Sequence, residues 1–195
     1  MAELREGGAA TPDPQHNERY TYADYYAWDD GKRWELIDGI PYAMTSPSTA
    51  HQRTSRGLFR ELDAFLRGKP CELFAAPYDV RLNAADADDT VVQPDLIVVC
   101  DRAKIDARGC KGVPDLVIEI LSPSTARHDR IVKLRLYRQA GVREYWMLDP
   151  ASKELQVCVL HNGQYITSSY GGADSVPVSV LPGCSISLPE VFAED

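Results

Sequence analysis

Two stretches of this sequence carry acidic side chains where apolar ones are expected. Glu119 interrupts the run Leu116-Val117-Ile118-Glu119-Ile120-Leu121, and Asp95, 24 residues upstream, stands between Val91-Val92 and Leu96-Ile97-Val98-Val99. A carboxylate inside a buried strand is costly unless its charge is compensated. Two of them on neighbouring strands would raise each other's pKa unless a cation neutralises them. Oxygen-only donors suit Mg²⁺ or Mn²⁺, so a divalent-metal centre is the chemistry these positions suggest. Glu35, in the alternating segment Arg33-Trp34-Glu35-Leu36-Ile37, is a third candidate ligand. Asp115 shares a strand face with Glu119 by the two-residue period and is a reserve ligand, though its place after Pro114 at a strand start also suits a solvated or capping role.

The elements that would position these residues follow from periodicity and punctuation. Thr21 caps a short helix through residue 28, residues 33–37 alternate as a strand, and Asp38-Gly39 is a two-residue hairpin signal returning through 40–45. Ser48 opens a long helix to about 67, with Leu58, Phe59, Leu62, Phe65 and Leu66 on one stripe and Arg53, Arg56 and Arg60 on the other face. Strands follow at 72–75 and 78–82, and the acidic segment 86–89 reads as a solvated turn. Residues 91–100 and 115–121 are nearly continuous apolar runs, as in central strands covered on both faces. Ser122-Pro123-Ser124-Thr125 caps a helix to about 140 with Ile131, Leu134 and Tyr137 inward and Gly141 as its stop. Another strand follows at 144–148, and segments 155–160, 165–169 and 185–188 form an antiparallel extension, giving an α/β class: a mixed β-sheet flanked by helices.

Composition bounds the rest. A chain of 195 residues with 44% hydrophobic content fits one domain over 20–195, preceded by a polar tail over 1–19 that includes His16. No apolar run reaches membrane-spanning length and the N-terminus lacks a signal-peptide pattern, so a cytoplasmic protein is expected. Cys71, Cys100, Cys110, Cys158 and Cys184 are odd in number and scattered, which predicts neither a disulfide framework nor a zinc site. The net charge of -8 argues against a general nucleic-acid-coating surface, unless the acids concentrate around a cation and the bases along a groove.

The ordered string Trp34-Glu35-Leu36-Ile37-Asp38-Gly39, Gln93-Pro94-Asp95-Leu96, Pro114-Asp115-Leu116-Val117-Ile118-Glu119-Ile120-Leu121-Ser122-Pro123-Ser124-Thr125, a helix with Lys133, and Gly141-Val142-Arg143-Glu144-Tyr145-Trp146 resembles the Uma-type family of restriction endonucleases. That family falls within the PD-(D/E)xK nuclease superfamily, and the likeness covers roughly residues 20–192. It implies a restriction-endonuclease-like core, Mg²⁺ or Mn²⁺ held by Glu35, Asp95 and Glu119, and hydrolysis of DNA, with a homodimer suggested by the need to cut two strands. Leu121 occupies the position of the motif lysine, so the positive charge must come from elsewhere. The resemblance assigns it to Lys133 on the following helix, with Arg127, Arg130 and Arg135 as competitors. His51, Gln52 and Tyr137 are accessory candidates, and Arg53, Arg56, Arg127 and Arg130 are candidate phosphate contacts. A catalytically inactive nuclease-fold module that binds nucleic acid or protein stays open beside the enzyme.

Overall fold

The computed structural model describes residues 12 and 19–193; most of the expected N-terminal tail, His16 included, lies outside the described residues. After a short helix α1 (Tyr22–Tyr26), strands β1 (Trp34–Ile37) and β2 (Ile40–Ala43) form the expected hairpin. Its two turn residues both adopt left-handed backbone, Asp38 at φ 50° and Gly39 at φ 75°, as a tight two-residue turn requires. Helix α2 (Thr49–Leu66) begins at Ser48, whose side chain accepts from the His51 N–H. Strands β3 (Glu72–Ala75), β4 (Val80–Arg81), β5 (Val91–Val92), β6 (Leu96–Val99), β7 (Ile105–Asp106), β8 (Gly109–Lys111) and β9 (Leu116–Ile120) follow. A helical segment runs from α3 (Ala126–His128) through a widened π-helical turn (Asp129–Lys133) into α4 (Leu134–Ala140), ending at Gly141 with φ 89°. Strands β10 (Glu144–Asp149), β11 (Glu154–His161), β12 (Gln164–Tyr170), β13 (Ser175–Pro177) and β14 (Ser185–Ser187) and helix α5 (Leu188–Val191) complete the chain.

The strands form two six-stranded sheets, β2-β1-β5-β4-β8-β7 and β12-β11-β10-β9-β6-β3, with β13 and β14 as a separate ribbon. Within the second sheet β9 and β10 are parallel, joined by the α3–α4 crossover, and their other neighbours are antiparallel. The α/β class with mixed sheets and flanking helices is therefore as the sequence implies. The run 91–100 is not one strand, however. Gln93-Pro94-Asp95 breaks it, so that β5 pairs with β1 and β4 while β6 pairs with β3 and β9. Pro94 has no N–H to give a ladder, and the chain changes sheets there, which puts Asp95 at the junction of the two.

One core cluster joins α2, through Leu58, Leu62 and Leu66, to Leu116, Ile118, Ile120 and Trp146 of the second sheet. Alternation turns Val117 and Leu121 to the opposite face, where they pack with Tyr137, Tyr145 and Met147. Three expectations are corrected. Ile131 is 59% exposed, and Asp129, Lys133 and Tyr137 face inward in place of the apolar stripe. A four-residue spacing drifts around an ordinary α-helix of 3.6 residues per turn, and the π-helical turn holds that drift back. Cys71 and Cys100 are disulfide-bonded: they flank β3 and β6, whose register sets Glu72 against Val99, a cross-strand pairing that sequence spacing does not reveal. The acidic turn is also less solvated than expected, since Asp88 is ion-paired with Arg81.

Candidate active site

Glu119 points from β9 into a cleft of about 680 Å³. The cleft is bounded by the β2–α2 connection, the start of α2, the Ser122–Thr125 loop and the turn after β10. Two donors converge on one oxygen of Glu119: Lys133 Nζ donates to Oε1 at 2.9 Å and Tyr137 OH at 2.8 Å. Lys133 Nζ lies equally close, 2.9 Å, to Oε1 of Glu35, which also accepts from the Gln93 main-chain N–H at 2.9 Å. Asp129 approaches the same ammonium at 3.8 Å. Asp95 is held separately: its Oδ2 accepts from the Ile120 N–H at 2.7 Å and lies 3.1 Å from His51 Nε2. Asp95 therefore sits beside Glu119 across the β6–β9 boundary, and the start of α2 clamps it from the other side.

Burial decides the electrostatics. Desolvation pushes the Glu119 carboxyl well above the ordinary carboxylate range; Lys133 pulls it back, and Asp129, Asp95 and Glu35 push it further up. Burial alone would depress Lys133, but Glu119, Glu35 and Asp129 outweigh it and hold the ammonium well above the usual lysine value. Asp129 is raised chiefly by burial, against Lys133. The cation that buried acids demand is thus partly supplied by the chain itself, through Lys133. One ammonium faces three carboxylates, with Asp95 acting on the same group, so the cluster keeps an excess of negative charge. Among the described residues, no three His, Cys, Asp or Glu side chains stand close enough to cage an ion as they are, because Lys133 stands between Glu35 and Glu119. Uncompensated charge and all-oxygen donors fit a hard divalent cation next to the ammonium.

Comparisons with known proteins show the family and the fold. Residues 22–189 match the Uma2 family, described as "Putative restriction endonuclease". The chain belongs to the Uma2 family. Its fold is nuclease-like: it superposes with a TM-score of 0.71 on the crystal structure of "a putative nuclease belonging to DUF820" from Anabaena variabilis ATCC 29413, at 18% identity over 89% of this chain and 97% of that one. Two Synechocystis proteins of uncharacterised function are similar in sequence. One, slr1290, is 26% identical, covering 87% of this chain and 89% of its own length. The other, sll1609, is 29% identical, covering 59% and 65%. No helix among the described residues is long and apolar enough to cross a membrane.

Of the residues singled out by sequence, the fold gathers Glu35, His51, Gln52, Asp95, Glu119 and Lys133 along the cleft, and Tyr137 behind Glu119. Lys133 reaches the strand glutamate from the helix, in the space that Leu121, packed in the core, does not fill. Asp115 is not part of this group: it accepts from the Cys100 N–H at 2.6 Å and is ion-paired with Arg143. Among the arginines, Arg53, Arg56 and Arg127 are exposed, and Arg130 donates to Gln156 at 3.1 Å. Sequence reasoning missed Asp129, Gln93 as a side chain, and Arg33, all lining the cleft. Polar side chains at 129, 133 and 137, four apart, were the available signal for Asp129.

Proposed function

We propose that this chain is a divalent-metal-dependent nuclease that hydrolyses DNA phosphodiester bonds, with Mg²⁺ or Mn²⁺ held at Asp95 and Glu119. The observation carrying this reading is the meeting of Lys133 with Glu119 and Glu35 at 2.9 Å each, beside Asp95 in one cleft. Such an ion, when bound, acidifies the attacking water and neutralises charge that builds up on the phosphate. The chain's own groups prepare the site. An ammonium has three N–H donors; Lys133 gives one to Glu119 and is ion-paired with Glu35, while Asp129 at 3.8 Å is beyond hydrogen-bond range. That leaves N–H capacity for a water or a phosphate oxygen. Tyr137 fixes Oε1 of Glu119 and leaves Oε2 for a further ligand, and His51 with the Ile120 N–H fixes Asp95. Arg33 and the first residues of α2 line the mouth, where a guanidinium and the positive end of the helix favour a phosphate. The acidic total of -8 is in this way partly spent at the metal centre. Cutting both strands with one centre per chain calls for a two-fold pair of chains.

Incubation of the purified protein with supercoiled DNA and Mg²⁺ or Mn²⁺ tests this. Nicking and linearisation are expected, abolished by chelation and lowered at least about a hundredfold by Glu119→Gln or Asp95→Asn. Cleavage that survives chelation, or survives in both variants, overturns the reading.

A further inference from the structure

Gln93 is tied into the cleft at three points. Its main-chain N–H holds Glu35, and its side-chain Nε2 donates to Asp79 Oδ1 and to Tyr25 OH, each at 2.9 Å. Tyr25 OH in turn donates to the same Asp79 oxygen at 2.9 Å. Both N–H bonds of the amide are used in this triangle. Turning the amide over would set its carbonyl oxygen against the Asp79 carboxylate, so the network fixes which end faces which way. Burial raises Asp79, and the donors from Gln93 and Tyr25 counter that, as expected if they serve its charged form.

The other end of the amide has no such partner. Gln93 is 9% exposed, and its Oε1 is buried without a hydrogen bond. A buried acceptor left unpaired is costly, and two side chains are committed to holding this one in place. Gln93 lines the same cleft as Asp95, Glu119 and Lys133. A neutral amide oxygen ligates hard cations alongside carboxylates and adds no charge to a cluster already rich in it.

We propose that Gln93 Oε1 is a ligand of the divalent cation at Asp95 and Glu119, with Asp79 and Tyr25 as the positioning residues that aim it. The proposal rests on the metal centre of the nuclease reading, and the test separates the two. Mn²⁺ binding to the full chain, without nucleic acid, is followed by the electron paramagnetic resonance of free Mn²⁺, with thermal melting of the apo-protein as a check on folding. Gln93→Met is expected to weaken Mn²⁺ binding about tenfold. Tyr25→Phe, which keeps the amide and removes one of its anchors, is expected to weaken it by a few fold. Wild-type affinity in Gln93→Met, with binding lost in Glu119→Gln, overturns this inference and leaves the nuclease reading standing. A wild-type protein that takes up no Mn²⁺ overturns both. If Gln93→Met does not fold, Tyr25→Phe decides, since it keeps Gln93 and frees one of its anchors: unchanged affinity there overturns the proposal.

Discussion

Replacing Lys133 by methionine removes the cation while keeping most of the side-chain volume. The ammonium lies 2.9 Å from Glu35, 2.9 Å from Glu119 and 3.8 Å from Asp129. At an effective dielectric of about 20, a unit pair near 3 Å attracts by about 6 kcal/mol, and most of this is offset by desolvation of the partners. What the variant loses is the compensation of carboxylates that stay buried, a cost of about 3–5 kcal/mol. For a chain of this size that lowers Tm by about 10 °C. The sign with pH is also fixed. Without Lys133, Glu119 loses the cation that holds its pKa down, so its already raised value rises further. A raised carboxyl pKa favours the fold below the unfolded value, ordinarily 4.5, and that contribution is lost as pH rises through the folded value. Lys133 of the wild type, raised above the ordinary 10.5, stays charged across this range. The deficit of Lys133→Met is therefore smaller near about pH 5 than near about pH 8. Urea melts followed by tryptophan fluorescence at both pH values measure it. A loss below about 1 kcal/mol, in the range of an exposed ion pair, or an equal loss at both pH values, would refute the assignment of Lys133 as the compensating cation.

Two further outcomes follow from the remaining contacts. Asp115→Asn weakens the bonds to Arg143 and the Cys100 N–H and is expected to cost about 1–2 kcal/mol. Because Asp115 stands outside the cleft, DNA nicking and Mn²⁺ affinity should stay within about twofold of wild type; a large loss of either would return Asp115 to the metal centre. Reduction of Cys71–Cys100, or the double replacement Cys71→Ser with Cys100→Ser, opens a link spanning 29 residues. Chain entropy sets the resulting loss at about 3–4 kcal/mol, and calorimetry with and without reductant measures it; an unchanged Tm would show that the link contributes nothing.

Local physics made much of the site legible in the sequence. Glu119 and Asp95 stood out because a charge within an apolar run needs a reason wherever the strand ends up. The Asp38-Gly39 hairpin, the Ser48 cap and the Gly141 stop were readable because each depends on a few consecutive residues. Lys133 needed the family resemblance, since on a helix of mixed lysine and arginine nothing local separates it from Arg130 or Arg135.

Tertiary structure decided which distant groups meet. Periodicity places a side chain on a face but does not say what lies opposite. It could not show that the buried acids are met by a lysine of the same chain, that Asp115 turns to Arg143, or that Cys71 faces Cys100. Nor could it show that the run 91–100 passes between two sheets at Gln93-Pro94-Asp95. That break sets Gln93 between Glu35 and the Asp79–Tyr25 pair and Asp95 against Ile120 and His51, so residues two apart in sequence enter the cleft on different supports.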